Sequence, residues 1–523
     1  MKLLSRLIIA LAVCLVALPA LMLTTAVQAQ NPAIDISPSS GYVGDNIVVY
    51  GDNFQPDSDF SVYYYITPDN PDYVGGGTVD SGGSFSVDFN VPESYGGSHE
   101  IRVKYDSDYL YATFTVEPML EITSPGDATG LVGTQVTIKG TGFGEDEDYI
   151  EVRYYTTSSD FTVVKRGITA SGYGTFRATF NVPSSSRGEH EILAEGSDTY
   201  EDEVKEATFT VEPGISLSKS SGYVGDSITV TGNGFDASET GVKVTYDGIQ
   251  VGSTTMADAR GVWTTTFAVP ESTSGVHTID AYGGYTSAAE VSEKEFTVSY
   301  KAILTPTEGY VGISLSVSGT GFAGNQGVSI KYDGTQVVTS TSDAKGSFSA
   351  SFSAPKSIHG NHSVTASDAS GNSVSFNFVM ESTPPPKPKL SLPANGSRLG
   401  FITKQAPTFQ WSAVTDPSGV AYTWQIATDA GFVNFVVPEI SDLTDNHYTL
   451  PQVQALPYGT YYWRVKAIDG AQNDSGWTTT YSFRSGLLPL WAFISIIALV
   501  VVLIGVMVYF FGIKKKKRAP HGV

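Results

Sequence analysis

Cysteine is almost absent from this 523-residue sequence, and its one copy, Cys14, lies in an apolar segment near the N-terminus. Lys2 and Arg6 precede the apolar run, which ends in the small-residue pattern Val27-Gln28-Ala29. These features predict a secretory signal peptide over residues 1–29. Because the cysteine would leave with the signal peptide, the pattern excludes disulfides, thiolate metal sites and cysteine nucleophiles from the secreted chain.

Basic residues are also scarce, since 31 Lys and Arg face 53 Asp and Glu, for a formal charge of −22. Seven of the basic residues lie in the signal peptide and the C-terminal tail, so the part between them carries 24 against 53, or −29. This charge excludes a nucleic-acid binder that works by phosphate neutralisation. It also predicts a surface that repels anionic polymers. A composition of 41% hydrophobic and 12% aromatic residues excludes a disordered acidic chain.

A sustained helical period is missing outside the termini. Residues 487–513 form a 27-residue stretch without charge, long enough to cross a bilayer, and Lys514 to Arg518 follow it directly. By the positive-inside rule the basic tail, residues 514–523, is predicted to be cytoplasmic and the body to lie outside. The sequence therefore predicts a single-pass cell-surface protein with its N-terminus outside.

Four copies of a glycine pattern divide the body at spacings of 89, 92 and 87 residues. The copies begin at Gly41, Gly130, Gly222 and Gly309. Each is followed by an alternating apolar segment and then by a second anchor, which is Gly51-Asp52-Asn53-Phe54, Gly140-Thr141-Gly142-Phe143, Gly232-Asn233-Gly234-Phe235 or Gly319-Thr320-Gly321-Phe322. Apolar alternation with period two predicts half-buried strands.

Later in each copy an aromatic residue follows a glycine turn, as in Gly83 and Phe85, and a strand then ends at a proline such as Pro92. Asp247-Gly248 and Asp333-Gly334 are two-residue hairpin signals. Short strands separated by Gly, Pro and Asp predict antiparallel sandwiches of about 90 residues. The predicted fold class is all-β, with tandem immunoglobulin-like antiparallel β-sandwiches and one C-terminal transmembrane α-helix.

Residues 33 to 380 resemble the IPT/TIG type of immunoglobulin-like domain. The resemblance rests on Pro38-x-x-Gly41-x-x-Gly44 with Gly51-x-Asn53-Phe54, and on Pro306-x-x-Gly309-x-x-Gly312 with Gly319-x-Gly321-Phe322. After a Pro-rich spacer, the segments around Trp411, Trp424 and Trp463 resemble a fibronectin type III domain. The predicted organisation is a signal peptide at 1–29, four Ig-like repeats at 30–118, 119–213, 214–299 and 300–380, a linker at 381–389, a type III-like domain at 390–485, a transmembrane helix at 487–513 and a tail at 514–523.

Histidine recurs in register, two residues after a glycine, as His99, His190, His277 and His362. A catalytic or metal role needs partner residues in each copy, and neither constellation is visible in the sequence. We therefore expect these side chains to cap a turn or pack at the end of a sandwich. No catalytic residue and no cofactor-binding residue is predicted, so we expect a protein that is not an enzyme.

Acidic clusters are candidates for weak calcium binding, because loops between tandem sandwiches can supply oxygen ligands. The candidate ligands are Asp106, Asp108, Asp146 and Asp148. No Asp-x-Asp-x-Asp-Gly loop is present, so solvated loop charge is the competing interpretation. No other cofactor is expected.

Tyrosines cluster at Tyr63-Tyr64-Tyr65, Tyr154-Tyr155 and Tyr461-Tyr462. Neighbours on a strand point to opposite faces, so we expect one of each pair in the core and the other exposed. Exposed rings could anchor a protein partner or stack on sugar rings, or could only pack across the sheet surface.

The sequence predicts a membrane-anchored surface protein, of prokaryotic type, that acts in adhesion or as a structural component of the cell envelope. Its expected partner is a protein or a glycan at the cell surface, with self-association as one possibility, and not a nucleic acid. The alternative is a surface protein that binds carbohydrate or processes polymers through exposed aromatics. A signalling receptor is a third, weaker candidate.

Overall fold

The computed structural model describes residues 31–401, 403–486 and 488–515, with side chains up to residue 512. The signal peptide prediction and the last part of the basic tail lie outside these residues. The described chain forms five β-sandwiches of eight strands each, followed by one helix.

Each sandwich contributes eight consecutive strands. The first has β1 (Ala33–Ser37), β2 (Ser40–Gly41), β3 (Asn46–Asp52), β4 (Asp59–Thr67), β5 (Asn70–Thr78), β6 (Phe85–Asn90), β7 (Gly97–Tyr105) and β8 (Asp108–Val116). The second has β9 (Met119–Ser124), β10 (Thr129–Leu131), β11 (Gln135–Thr141), β12 (Ile150–Tyr155), β13 (Phe161–Ile168), β14 (Phe176–Asn181), β15 (Gly188–Glu195) and β16 (Ala207–Glu212). The third has β17 (Gly214–Leu217), β18 (Ser221–Tyr223), β19 (Ser227–Asn233), β20 (Val242–Tyr246), β21 (Ile249–Thr255), β22 (Trp263–Ala268), β23 (Gly275–Tyr282) and β24 (Lys294–Ser299).

The fourth sandwich has β25 (Lys301–Thr305), β26 (Glu308–Gly309), β27 (Ser314–Thr320), β28 (Gly327–Tyr332), β29 (Thr335–Thr341), β30 (Phe348–Ser353), β31 (Gly360–Asp368) and β32 (Ser373–Met380). The fifth has β33 (Leu390–Leu392), β34 (Ser397–Leu399), β35 (Thr408–Trp411), β36 (Val420–Ala427), β37 (Ile440–Leu443), β38 (His447–Thr449), β39 (Gly459–Asp469) and β40 (Tyr481–Ser485). Short 3₁₀ turns cover Glu201–Glu203, Ala288–Glu290 and Gln452–Gln454, and the helix α1 covers Leu490–Lys515.

All five sandwiches share one topology. The first, third and sixth strands form a three-stranded sheet, and the other five form a sheet in the order second, eighth, seventh, fourth, fifth. Every pairing is antiparallel except that of the second strand with the eighth, which is parallel in each sandwich. The all-β, immunoglobulin-like prediction is confirmed. Each sandwich buries its own core between its two sheets.

The repeated glycines and aromatics pack against each other across the small sheet of the first four sandwiches. The second-anchor glycine lies opposite the aromatic residue that opens the sixth strand, in the pairs Gly51 and Phe85, Gly140 and Phe176, Gly232 and Trp263, and Gly319 and Phe348. A Cβ at these glycines would lie 2.0 to 2.3 Å from a ring atom. The ring therefore needs glycine beneath it, which explains why the two patterns recur together.

Helix α1 is the one described helix that is long and apolar enough to cross a membrane, over Leu490–Gly512. None of this span is buried against the rest of the described chain. Trp491 near its start and Tyr509 near its end are both exposed. The helix thus offers its whole apolar surface to a bilayer, as a membrane anchor requires.

Buried carboxylates fix loops in the second and third sandwiches. Glu239 accepts hydrogen bonds from the backbone N–H groups of Tyr285 and Thr286 and from the Thr286 hydroxyl, each at 2.7 Å, and from the Asp236 N–H at 3.2 Å. Glu147 is held in the same way in the second sandwich. Burial opposes ionisation of Glu239, but these donors outweigh burial and hold its pKa below the ordinary value.

A first prediction concerns the glycine beneath the ring. Gly319→Ala places a methyl group 2.3 Å from Phe348 Cε1, so we expect overpacking to destabilise the fourth sandwich by about 1–3 kcal/mol. Gly327→Ala is the matched control, because its Cβ would have its nearest heavy atom at 3.9 Å. Hydrogen exchange of peptides from the fourth sandwich of the full chain measures the change. Equal protection in the two variants would contradict the packing argument.

A second prediction concerns Glu239. In Glu239→Gln an amide group faces N–H donors, so we expect faster hydrogen exchange in the 283–287 loop, by about 1–3 kcal/mol of opening free energy. Because the folded-state pKa is lowered, the stabilisation is present above the ordinary carboxyl pKa and is lost as pH falls through the lowered value. Glu295→Gln, an exposed carboxyl of the same sandwich, should leave the loop unchanged. A loop equally protected in both variants would refute the role of Glu239.

Candidate functional site: the tyrosine face of the first sandwich

The outer face of the five-stranded sheet in the first sandwich is rich in tyrosine. On β4, Phe60, Val62 and Tyr64 are buried, so the residues between them point outward. The same alternation on β7 and β8 adds outward residues from those strands, and on β5 Tyr73 lies on this face because it pairs with Tyr63. We call this surface the tyrosine face and define it by Ser61, Tyr63, Tyr65, Tyr73, Glu100, Arg102, Lys104, Tyr109 and Tyr111.

Four of these residues form a row across four strands. Tyr63 lies opposite Tyr73 on one side and Arg102 on the other, and Arg102 lies opposite Tyr111. The Tyr63 and Tyr73 rings meet edge to face, with centroids 5.7 Å apart. Tyr73 and Tyr111 are each 59% exposed and Tyr109 is 43% exposed, so the rings at the ends of the row are open to solvent.

Arg102 lies at the centre of the face, close to two tyrosine rings. Its guanidinium carbon lies 3.9 Å from the centroid of the Tyr65 ring and 5.6 Å from that of Tyr111. Its Nε donates to a Glu100 carboxylate oxygen, and this hydrogen bond raises the pKa of Arg102. With Lys104 the face carries a net charge of one positive, in contrast to the acidic body of the chain.

Matched positions in the next three sandwiches carry no such row. The residues in register with Tyr73, Tyr63 and Arg102 are Val163, Arg153 and Leu193, then Gln250, Thr245 and Asp280, then Gln336, Lys331 and Thr365. In the second sandwich Arg153 makes ion pairs with Glu151, Glu195 and Glu201, so its charge is neutralised within the sheet. The aromatic row is thus specific to the first sandwich among these four.

The expected split of the tyrosine clusters is confirmed. Tyr64, Tyr154 and Tyr461 are buried, and Tyr63, Tyr65, Tyr155 and Tyr462 are partly exposed. Burial raises the pKa of Tyr64 to about 12 despite the hydrogen bond between its hydroxyl and Ser94. Of the pair Tyr64 and Tyr65, only Tyr65 can therefore contact a ligand. Sequence inspection did not connect Tyr73, Tyr109 and Tyr111 with this cluster, because they come from other strands.

The four recurrent histidines lie at the ends of the sandwiches, as expected. Each ring stacks on the buried tyrosine of the fourth strand, with centroids 5.0 to 5.4 Å apart. Each Nε2 donates to the backbone carbonyl four residues earlier, that of Tyr95, Ser186, Thr273 or Ile358. Asp247 and Asp333 lie beside the other ring nitrogen of His277 and His362, which the sequence analysis did not foresee. Because Nε2 of each histidine is hydrogen-bonded to a backbone carbonyl, it is not free to take a proton from a nucleophile.

The loop held by each histidine docks on the next sandwich. The N–H of the residue after the bonded carbonyl donates across the junction, from Gly96 to Phe143 O at 2.8 Å, Arg187 to Phe235 O at 3.1 Å, Ser274 to Gly321 O at 3.0 Å and His359 to Ala471 O at 2.8 Å. The first three acceptors belong to the Gly-x-Gly-Phe anchor of the following repeat. The loop held by the histidine therefore connects each of the first four sandwiches to the next one.

The four candidate calcium ligands are not brought together. Asp106 and Asp108 lie at the exposed turn between β7 and β8, and Asp146 lies in an exposed loop of the second sandwich. Asp148 accepts a hydrogen bond of 2.6 Å from Thr169. Calcium binding by these residues stays a prediction. Asn473 begins an Asn-x-Ser glycosylation sequon, Asn473-Asp474-Ser475, but it is 6% exposed and bonded to Asp469, so it is not open to glycosylation in this fold.

Three other carboxylates do converge, where the fourth and fifth sandwiches meet. Glu381, Asp416 and Asp469 have oxygen atoms within 4.8 Å of one another. Ser418 donates to Glu381 and, through its N–H, to Asp416. Burial raises the pKa of Asp416, and the charges of Glu381 and Asp469 raise it further. No sequence pattern indicated this cluster, because its members come from three separate segments.

Protein-family models and curated protein sequences give no match to this chain. Among solved structures the chain is similar to a tetra-tandem repeat in the extending region of a large adhesion protein, at 16% identity over 67% of this chain and 99% of that one, with a TM-score of 0.19. It is also similar to invasin, a bacterial integrin-binding protein, at 11% identity over 72% and 82%, with a TM-score of 0.18. A third is the Bacteroides ovatus protein SGBP-B of a mixed-linkage glucan utilization locus, solved with a mixed-linkage heptasaccharide, at 12% identity over 70% and 96%, with a TM-score of 0.20.

At identities of 11 to 16% and TM-scores of 0.18 to 0.20, these similarities do not indicate a function for this chain. The chain's own sheets define its class, which is a tandem array of immunoglobulin-like β-sandwiches followed by one apolar helix.

A third prediction follows from the carboxylate cluster. Asp416→Asn keeps the oxygen that accepts from Ser418 and removes a charge beside two carboxylates. At pH 7 we expect the variant to be more stable, by about 0.5–1 kcal/mol, in hydrogen exchange of the junction between the fourth and fifth sandwiches.

The same reasoning sets the pH dependence of Asp416→Asn. Because the folded-state pKa of Asp416 is raised, the parent loses its disadvantage as pH falls through that value, and the difference should vanish in acid. A variant less stable than the parent at pH 7 would show that the carboxylate has a favourable partner.

Proposed function

We propose that this protein is a membrane-anchored cell-surface adhesion protein, whose tandem sandwiches hold the tyrosine face away from the membrane. The residues before helix α1 lie outside the cell and the basic tail lies in the cytoplasm, after a signal peptide over residues 1–29 has directed secretion. The first four sandwiches are IPT/TIG-like and the fifth is fibronectin type III-like. The protein acts by binding and not by catalysis.

The observation that carries this proposal is the position of the tyrosine face. It lies on the first sandwich, at the opposite end of the described chain from helix α1, and four sandwiches stand between them. Tyrosine and arginine are the residues that dominate the energy of binding surfaces. Because the row is missing from the matched faces of the next three sandwiches, it is not required for folding the repeat.

The junctions between sandwiches support the other part of the proposal, which is that the array holds its first sandwich away from the membrane. A hydrogen bond from the histidine-held loop of one sandwich to a carbonyl of the next connects every pair of consecutive sandwiches. They limit bending between sandwiches, which lets the array project its first member. Many anchored copies can then turn weak single contacts into firm attachment.

A fourth prediction tests adhesion. Cells that display the full chain should be retained on layers of cells, extracellular matrix or cell-wall material better than cells that lack it. Tyr63→Ser with Tyr111→Ser should lower retention about tenfold, because it removes two rings of the row. Tyr50→Ser is the matched control, since Tyr50 is 44% exposed on β3, in the other sheet of the same sandwich.

Protease added outside the cells should digest the sandwiches if the proposed orientation is correct. Retention equal to that of cells without the protein, at confirmed surface display, would refute an adhesive role.

A further inference from the structure

The tyrosine face has an unusual composition for a contact surface. Five of its nine members are tyrosine and none is aliphatic, so its apolar area comes from aromatic rings and from the stems of Arg102 and Lys104. Every tyrosine ring ends in a hydroxyl that can donate and accept hydrogen bonds. Ser61, Arg102 and Lys104 add further polar groups between the rings.

This composition favours a sugar over a protein as the partner. The buried centre of a protein interface is about 65% apolar and is depleted of Lys and Glu, whereas Glu100 and Lys104 lie among the rings of this face. A pyranose ring has a face of C–H groups that stacks on an aromatic ring, and its rim carries hydroxyls that need hydrogen-bonding partners. The tyrosine face offers both kinds of contact side by side.

The geometry of the row favours a polymer over a single sugar. Tyr73, Tyr63, Arg102 and Tyr111 lie on four adjacent strands, so the row spans roughly 14 Å at a strand spacing of about 4.8 Å. A strand spacing is close to the length of one pyranose unit in an extended glycan. Successive rings of one chain could therefore lie over successive strands.

The charge of the protein favours a neutral glycan over an anionic one. The guanidinium of Arg102 is already paired with Glu100, so the face offers an anionic sugar only the single net positive charge that Lys104 supplies. The body of the chain is strongly acidic and repels polyanions. A neutral saccharide needs no positive charge to neutralise it and is not repelled by the acidic chain.

We propose that the tyrosine face binds an extended chain of neutral pyranose sugars, with rings stacked on Tyr73 and Tyr111, the exposed rings at the two ends of the row, and hydroxyls bonded to Arg102. This inference rests on the proposed function, since it names the partner of the same face. Arg102 is pre-positioned by its stacking on Tyr65, so little side-chain entropy is lost on binding.

The test uses the full chain in detergent micelles and isothermal titration calorimetry. The probes are hexasaccharides of glucose, mannose, galactose and N-acetylglucosamine, with the hexasaccharide of galacturonic acid as the anionic comparison. We expect at least one neutral probe to bind, and to bind more tightly than the anionic one. Tyr111→Ser should weaken that binding about tenfold.

Two variants separate stacking from loss of fold. Tyr111→Phe keeps the ring and should keep binding within about threefold, because a hydrogen bond on an open surface contributes little. Tyr50→Ser, in the other sheet, should bind as the parent does. Circular dichroism of each variant confirms that the sheets are intact.

Several results would overturn the inference. They are no binding of any neutral hexasaccharide, tighter binding of the anionic one, or equal binding by Tyr111→Ser and the parent. If cells still adhere through Tyr63 and Tyr111 while no sugar binds, the adhesive function stands and its partner is a protein. If a sugar binds but displayed cells do not adhere, the face is a glycan site and the adhesive function fails.

Discussion

The packing of an aromatic ring on a glycine is the contact on which the rest of each repeat depends. Phe176 covers Gly140 in the second sandwich, and the buried Phe143 meets Phe176 edge to face at 4.9 Å. The contact between these two rings fixes the anchor turn. The carbonyl oxygen of Phe143 in that turn then accepts a hydrogen bond from the N–H of Gly96 in the preceding sandwich. A side chain on the glycine would displace the ring, then the anchor, and then the junction. The contact between the glycine and the aromatic ring therefore supports both the core of a sandwich and its junction with the preceding sandwich.

The other half of each junction depends on a buried polar cluster. The tyrosine of the fourth strand is bonded to a serine that follows the recurring proline by two residues, as in Tyr154 and Ser185, and it stacks on the histidine. The histidine then fixes the carbonyl that precedes the docking N–H. Because buried polar groups are costly when unpaired, this network holds the loop in a single arrangement. The fifth sandwich has no Gly-x-Gly-Phe anchor, and Ala471 supplies the acceptor there.

The repeat unit could be predicted from sequence because its determinants are local. Apolar alternation, glycine anchors and hairpin signals each act within a few residues, and they predicted the all-β sandwiches correctly. The tyrosine face could be predicted only at Tyr63 and Tyr65. Its other members join through the register of four strands, and that register shifts at an irregularity between Val62 and Tyr63 that no local pattern indicates. The cluster of Glu381, Asp416 and Asp469 was missed for the same reason, since the fold alone brings three distant segments together.

The charge of the chain determines which partners the tyrosine face can serve. Copies anchored side by side carry a large negative charge, so they repel one another at low ionic strength and screening weakens this only with added salt. A second copy is therefore a poor occupant for exposed rings, and a polyanion is a poor one for the same reason. A face that combines rings and hydroxyls with a paired arginine and a single further charge, that of Lys104, gains little from long-range electrostatic attraction. Its binding energy must come from short-range stacking and hydrogen bonds, which an uncharged ligand supplies without opposing the field of the protein.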